Sequence, residues 1–280
     1  VLNKNNSVFL NKINFAESKN LIKIKNVGLN PKKKLKRIDQ IDIDLVNNND
    51  QISQLNIKRK KSNYSINSKI FDGTKILDRI LFSKSDGNFF DIFGNLNSKI
   101  TINFNTIYIT NEDYLTNFKA DIIVNNNQIK DLILSSQFST KEDLKLSIKT
   151  NSNNERITDL FAGNAKPLVK KYDFIKGFEG GYLKFDSIEK NKVSNSNLKI
   201  FDFKLKEVPA LTKLLTLASL QGIADLLTGE GIRFNEFEMI FNNKDGLMTI
   251  EEIYSLGPSI SILMDGYIQK DDLVSLRAVS

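Results

Sequence analysis

The residues of this chain that could do acid–base or metal chemistry are carboxylates, because its 280 residues include no histidine and no cysteine. Their absence excludes a disulfide framework, a thiolate nucleophile, most zinc sites and the commonest general base. Three close acidic pairs remain, namely Asp42 with Asp44, Glu251 with Glu252, and Asp271 with Asp272. Only Asp42 and Asp44 have the spacing that places two carboxylates on one face of a strand, where they could contact a cation.

None of the three acidic pairs predicts catalysis. Neighbouring residues of a strand point to opposite faces, so we expect Glu251 with Glu252, and Asp271 with Asp272, to lie in solvated turns. For Asp42 and Asp44 we expect an ordinary polar face that points to water. The sequence therefore predicts a protein that is not an enzyme and that has no catalytic residue, no metal ligand and no cofactor.

Gly229 and Gly231 flank Glu230 in an arrangement that could belong to a dinucleotide-binding loop. No third glycine completes that motif, and these residues follow a predicted helix, whereas the motif follows a strand. We interpret the two glycines as the turn that ends the helix.

Basic residues are in excess, with a formal net charge of +7, and two runs stand out at 31–37 (PKKKLKR) and at 58–61 (KRKK). Each run is typical of a solvated hairpin loop, and each could also contact the phosphates of anionic lipid or lipopolysaccharide. No aromatic residue is interleaved with the first run, so we predict no nucleic-acid partner. Lysine, asparagine and isoleucine recur along the whole chain, which is typical of an AT-rich genome.

The sequence contains no apolar run of about 18 residues and no export signal at its start. Because it begins at Val1 and stops inside a new apolar run near Leu273, we expect it to be a piece of a longer protein. A membrane anchor would then lie outside this piece.

Most of the chain alternates apolar and polar residues with the period of two that is typical of strands. Examples are Ile41, Ile43 and Leu45; Ile100, Ile102 and Phe104; and Leu144, Leu146 and Ile148. Asparagine-rich and glycine-containing turns separate about a dozen such runs, which predicts an antiparallel meander. The alternation changes parity after Ile200 and after Phe234, which indicates β-bulges that bend the sheet.

Three helices are predicted, at 74–82, at 165–172 and, as the longest, at 209–227. Pro209 suits the first turn of the long helix, and glycines follow its end. Its apolar stripe should pack on the sheet, through Leu211, Leu214, Leu215, Ala218 and Leu226.

Residues 208–264 resemble the C-terminal region of AsmA-like bacterial envelope proteins, and in particular the long YhdP-type, TamB-related members. The resemblance is carried by VPALTKLLTLASLQGIADLLTGEGIRF, by the DG pair at Asp245 and by the GP pair at Gly257. Upstream, LFAGNAKPLVKKYDFIKGFEGGYLKFDS is similar to the preceding unit of that family. On this basis we expect a β-rich repeat region at 1–130 and an AsmA-like C-terminal domain, truncated at its end, at 131–280.

The resemblance implies a mainly β fold: a long curved antiparallel sheet, open like a taco, with one long helix in the C-terminal half and two short helices. It implies a protein of the Gram-negative periplasm, anchored to the inner membrane through a segment outside this piece. The implied activity is phospholipid transport between the inner and outer membranes and maintenance of outer-membrane lipid homeostasis. The implied partners are phospholipid acyl chains, both membranes and envelope proteins.

Acyl chains would lie against strand residues on the apolar side of the sheet, because an uncovered apolar face can shelter them without specific chemistry. The candidates are Ile102, Phe104, Phe118, Ile122, Leu146, Ile148, Phe185, Phe203 and Phe237. If protein side chains fill that face instead, the same fold favours a structural or assembly scaffold in outer-membrane biogenesis. A β-rich adhesin or solenoid would show fixed repeats, and the sequence shows none.

Overall fold

The structure is a computed structural model that describes residues 7–46, 52–74, 93, 95–171, 177–206, 231–258, 260–269 and 273–279. Strands make up 76% of these residues, which confirms the predicted mainly β class. The chain forms two compact units, Val1–Lys141 and Glu142–Ser280. The domain limits drawn from the resemblance, 1–130 and 131–280, stay a prediction.

The first unit is an open sheet in which strands adjacent in the chain are also adjacent in space. Its strands are β1 (Val8–Glu17), β2 (Asn20–Leu29), β3 (Leu35–Val46), β4 (Ile52–Lys60), β5 (Asn63–Asp72), β6 (Ser98–Tyr108), β7 (Tyr114–Asn125) and β8 (Gln128–Phe138). Seven pairings join them in this order.

The described part of the second unit has the same organisation, and a short helix lies between its second and third strands. Its elements are β9 (Asp143–Thr150), β10 (Arg156–Ala162), α1 (Lys166–Lys171), β11 (Phe178–Lys190), β12 (Val193–Leu205), β13 (Ile232–Lys244), β14 (Leu247–Leu256), β15 (Ser261–Gln269) and β16 (Leu273–Val279). All of its strand pairs are antiparallel.

One strand pair differs from the antiparallel meander that the sequence predicts. β5 and β6 are parallel, with Ile66 opposite Ile102. Parallel neighbours cannot be joined by a tight hairpin and need a connection of roughly a dozen residues or more. Residues 73–97 provide that length between Asp72 and Ser98. The alternation pattern looks the same in parallel and antiparallel strands, which is why the sequence did not distinguish them.

The predicted turns are confirmed by backbone conformation where they are described. Asn126 and Asn127 join β7 to β8 with φ of 49° and 65°, and Asp245 and Gly246 join β13 to β14 with φ of 51° and 88°. Two-residue hairpins require positive φ at both central residues, which Asn, Asp and Gly adopt most readily.

The parity change predicted in β12 is confirmed, but its geometry is not a bulge between β12 and β13. Asp202 adopts a positive φ of 53°, and the pairings on either side of it, Phe203 with Phe234 and Phe201 with Glu236, keep one register. Both strands therefore change parity at the same level. We call such a position a paired kink.

Two further paired kinks occur in the first unit. Asn26 of β2 and Asn117 of β7 both have a φ of 53°, and the pairing of β6 with β7 keeps its register across the kink, from Phe104 with Phe118 to Thr106 with Thr116. On the other side of β7, the pairing with β8 shifts register between Thr116 and Lys119. A residue in the left-handed region rotates the strand, so the apolar side chains beyond it return to the same face. The kinks thus keep one face of each sheet apolar.

Of the predicted helices, the one at 165–172 is confirmed as α1. The Oδ1 atom of Asn164 accepts a hydrogen bond from the backbone N–H of Lys166 at 3.2 Å, and Leu168 and Val169 are buried. The helix predicted at 74–82 lies, after Thr74, outside the described residues. So does the long helix at 209–227, with Leu211, Leu214, Leu215, Ala218 and Leu226. Within the described ranges, no helix has the length and apolar character needed to cross a membrane.

Candidate functional site

A row of isoleucines crosses six strands of the first unit and is the clearest candidate surface. Each member is directly opposite the next: Ile13, Ile24, Ile41, Ile57, Ile66 and Ile102, on β1 to β6. Directly opposite residues of neighbouring strands point to the same face of a sheet. These six side chains therefore form one apolar band, which we call the isoleucine ladder.

All six isoleucines of the ladder are only half-buried. A second apolar row runs beside the ladder, with Phe15 opposite Ile22 and Ile43 opposite Leu55. Phe15 is 58% exposed. Because burial of apolar surface is the main driving force in folding, a wide half-exposed apolar band is a surface that a ligand or a partner can cover.

The opposite face of the same strands is polar. One row consists of Asn14, Lys23, Asp42, Asn56, Asn67 and Asn103. The carboxylate of Asp42 accepts hydrogen bonds from the side chains of Gln40 and Asn56, and that of Asp44 accepts one from Gln54. This confirms the predicted polar strand face at Asp42 and Asp44. The sheet of the first unit therefore has one apolar face and one polar face.

Toward β7 and β8 the apolar face becomes filled by protein. The row that contains the ladder continues through Ala120 and Leu134, which are 5% and 3% exposed. Next to it, the rings of Phe71 and Phe104 lie 5.0 Å apart, and those of Phe104 and Phe118 stack at 5.7 Å. Offset stacking of this kind adds to the gain from burial. The last three strands of the unit hold a packed core.

In the second unit a corresponding apolar row crosses seven strands. Its members are Leu146, Leu160, Phe185, Leu198, Met239, Ile253 and Met264. A stack of three rings lies beyond the paired kink, where Phe203 is 5.1 Å from Phe178 and 5.3 Å from Phe234. Beside the row, the hydroxyls of Ser187 and Ser196 are buried and hydrogen-bonded to each other at 2.9 Å. Leu146, Leu198 and Ile253 of this row are buried and its other four members are half-buried, so this face is in part a core.

All nine predicted groove residues lie on the apolar faces of the two sheets, but their burial differs. Ile102, Phe185 and Phe237 are half-buried. The other six are covered in the structure, at 7% exposed or less: Phe104, Phe118, Ile122, Leu146, Ile148 and Phe203. Whether any of the nine contacts lipid stays a prediction. Sequence reasoning did not name Ile13, Ile24, Ile57 or Ile66, although the alternation in their strands was a signal for them.

A second feature that the sequence did not reveal links the two basic runs. Arg37 donates to both carboxylate oxygens of Asp39, at 2.9 and 2.7 Å, and Nη1 of Arg59 lies 3.5 Å from the same carboxylate. The hydrogen bond from Arg37 holds the pKa of Asp39 below its usual value, against the smaller opposing effect of burial. One carboxylate thus joins a guanidinium group from each basic run.

On the outer face of the second unit, charges are paired across strands. Lys199 on β12 contacts Glu238 on β13 at 2.9 Å, and Asn197 donates to the same carboxylate. The hydrogen bond from Lys199 lowers the pKa of Glu238. Burial, with a smaller effect from Asp159, raises the pKa of Asp186. These contacts are ordinary cross-strand pairs on a wet face.

Of the two remaining acidic pairs, the structure describes only Glu251 with Glu252. Glu251 and Glu252 are exposed, but they lie within β14 at its register shift with β15, and not in a turn as predicted. The shift arises because β14 has two residues, Glu251 and Glu252, where β15 has one, Asp265, which is one extra residue. Asp271 and Asp272 are outside the described residues. Among the side chains that are described, no three acidic groups come together as a metal would require.

Comparison with known proteins does not place this chain in a family. No family model matches it, and no curated protein or solved structure gives a significant match. The resemblance to AsmA-like proteins therefore rests on this chain's own residues, at 208–264 and in the segment that precedes them.

Proposed function

We propose that the apolar face of the first unit binds phospholipid acyl chains, and that the protein takes part in bridge-like phospholipid transport between the inner and outer membranes. The observation that carries this proposal is the isoleucine ladder, six directly opposed side chains that stay half-exposed across β1 to β6. In the proposal, the protein works in the periplasm, is anchored to the inner membrane through a segment outside this chain, and is AsmA-like.

The ladder suits acyl chains because it offers area and no directed polar group. Burial of each CH₂ of an acyl chain gains about 0.8 kcal/mol. A lipid that covers several isoleucines of the ladder would therefore be bound through buried apolar area alone. All six members of the ladder are isoleucines, so no single position along it is strongly preferred. A lipid could then move across the strands without breaking specific bonds, as transport requires.

A structural scaffold in outer-membrane biogenesis is the second candidate, and a specific observation favours it. Six of the nine predicted groove residues, among them Phe118 and Ile148, are buried by protein in the structure. A face that is already filled cannot also shelter acyl chains. The two candidates therefore differ in what contacts the ladder, since a scaffold would cover it with another protein.

Site-specific photo-crosslinking separates the two candidates. We would place a photoreactive amino acid at Ile24, Ile57 or Ile66, one position at a time, and expose the purified chain to phospholipid vesicles. The matched controls are Lys23, Asn56 and Asn67. Each of them is the chain neighbour of one test position on the same strand, and its side chain lies on the opposite face of the sheet. We expect the isoleucine positions to capture phospholipid and the control positions not to do so.

The same variants, expressed in a Gram-negative cell and irradiated there, test the scaffold. Capture of protein and no lipid at all three isoleucine positions would overturn lipid binding and support the scaffold. Equal lipid capture on both faces would also contradict the proposal, because it would show contact with lipid without use of the apolar face.

A further inference from the structure

The order and direction of the strands bring the two basic runs to one edge of the first unit. β2 and β3 are joined by the turn at 30–34, and β4 and β5 by the turn at 61–62. Because β3 and β4 are antiparallel neighbours, with Gln40 opposite Lys58, both turns lie at the same ends of these strands. The contacts of Asp39 with Arg37 and Arg59 hold the two hairpins together there.

We use the name basic edge for these two turns and the adjoining ends of β2 to β5. The basic edge carries nine cationic side chains. They are Lys32, Lys33, Lys34, Lys36, Arg37, Lys58, Arg59, Lys60 and Lys61. Strands are about 4.8 Å apart, so four of them span roughly 15 Å, and charges this close act together. Of these nine cations, only Arg37 and Arg59 form ion pairs with described residues, and the seven lysines are exposed.

The opposite ends of the same strands have a different charge balance. In the described turns there, and within two residues of those strand ends, the charged residues are Glu17, Lys19, Asp44 and Asp72, three anions and one cation. A compositional excess of lysine would enrich both ends alike. The separation of charge along the strands therefore reflects the placement of these residues in the fold, and not genome composition alone.

Apolar side chains accompany the basic edge. β1 begins beside the turn at 30–34, since Val8 is opposite Leu29, and both Phe9 and Leu10 of this strand are 39% exposed. A surface that combines many lysines with exposed apolar residues matches the interface of a bilayer, where phosphates lie next to acyl chains. Stacking of nucleic-acid bases would need several exposed rings, and Tyr64, the aromatic residue at the β4–β5 hairpin, is buried.

We propose that the basic edge docks on the surface of a bilayer that contains anionic phospholipid. The lysines would contact lipid phosphates, and Phe9 and Leu10 would enter the interface. Arg37 and Arg59 keep a structural role, because Asp39 already engages them. This docking does not require the isoleucine ladder to carry lipid, since the docking involves the turns and strand ends of the basic edge and not the apolar face of the sheet.

Vesicle co-sedimentation with the full 280-residue chain tests the docking. The test variant replaces Lys32, Lys33, Lys34, Lys36, Lys60 and Lys61 with Gln, which leaves the contacts of Asp39 intact. The control variant replaces six exposed lysines elsewhere with Gln, at Lys23, Lys69, Lys119, Lys149, Lys192 and Lys244. Both variants have the same net charge, so a difference between them reports position alone. Circular dichroism would verify that both are folded.

For vesicles of phosphatidylcholine with phosphatidylglycerol, we expect the test variant to bind at least about tenfold more weakly than the unmodified chain. The control variant should change by less than about twofold, and added salt should weaken binding of the unmodified chain. Vesicles of phosphatidylcholine alone should bind all three proteins equally weakly.

Equal loss in both variants would overturn the proposal, since net charge and not the basic edge would then govern binding. The proposal would also be overturned if the test variant bound vesicles as well as the unmodified chain does but no longer bound a single-stranded oligonucleotide. The basic edge would then be a nucleic-acid surface. Lipid capture at Ile57 tests the proposed function separately, so either idea can fail without the other.

Discussion

Nη1 of Arg59 on β4 lies 3.5 Å from the carboxylate of Asp39 on β3, and this contact ties together two hairpins whose turns are both strongly basic. Arg37 forms a two-point hydrogen bond with the same carboxylate. Without Asp39, nine cations would meet at one edge with no anion among them. The carboxylate therefore reduces the repulsion between the two basic hairpins.

Replacement of Asp39 by Asn should lower the free energy of unfolding at pH 7 by about 1 kcal/mol, since the pair is partly exposed and screened by water. The pKa of Asp39 is lowered in the folded state, so its stabilising contribution is complete above the unfolded pKa of about 3.9. That contribution is lost as the pH falls through the lower folded pKa. Urea unfolding at pH 7 and pH 3 should show the difference from the unmodified chain shrinking at the lower pH.

Asp131→Asn serves as the control for Asp39→Asn, since it makes the same chemical change on β8 with no ion pair among the described contacts. Its effect on unfolding should be small at both pH values. A loss of stability in Asp39→Asn that does not change with pH would contradict the role assigned to the ionised carboxylate.

Two isoleucines on the same face should differ in their contribution to stability. Ile122 on β7 is 5% exposed, whereas Ile57 on β4 is a half-buried member of the ladder. Ile122→Ala should lower the free energy of unfolding by about 3 kcal/mol, because it leaves a cavity in a packed core. Ile57→Ala should lower it by about 1 kcal/mol, in proportion to the smaller area that it removes. Denaturant titration measures both, and equal losses would mean that the ladder is as well covered as the core.

The paired kink at Asn117 gives a prediction about backbone conformation. Its φ of 53° lies in the left-handed region, which Gly and Asn adopt readily and a β-branched residue does not. Asn117→Gly should stay within about 0.5 kcal/mol of the unmodified chain, while Asn117→Val should lose about 2 kcal/mol. Asn103→Val, on the exposed face of β6, is the matched control and should cost nothing, because valine favours extended strands. A tolerated valine at 117 in thermal unfolding would show that the kink is not required.

Gly180 and Gly181 on β11 allow the stability cost of backbone strain to be measured apart from the cost of steric crowding around a Cβ atom. Both have a φ of 74°. A Cβ at Gly181 would lie 2.7 Å from the carbonyl oxygen of Phe201, whereas one at Gly180 would find its nearest neighbour, the carbonyl oxygen of Asp202, at 3.6 Å. Gly180→Ala should cost about 1 kcal/mol of backbone strain, and Gly181→Ala about 3 kcal/mol, since a strand must also shift. Equal losses in urea unfolding would exclude the close approach of β11 to β12.

Sequence alone predicted the mainly β class, the two faces of the strands and the turns at Asn126 and Asp245, because these depend on local alternation and on residues that tolerate positive φ. It also predicted α1 and the parity change in β12, which are visible within a few neighbouring residues. The polar face at Asp42 and Asp44 followed from the same alternation. All nine groove candidates were placed on the apolar side of their strands for this reason.

Only the tertiary structure decided which apolar side chains are buried by other protein residues and which stay half-exposed. Phe118 and Ile24 look alike in the sequence, yet one is stacked in a core and the other lies on an open ladder, because burial depends on strands far away in the chain. The parallel pairing of β5 with β6, and the meeting of two basic runs at Asp39, were hidden for the same reason. Alternation fixes the face on which a side chain lies, whereas pairing between strands, which depends on long-range contacts, sets its neighbours.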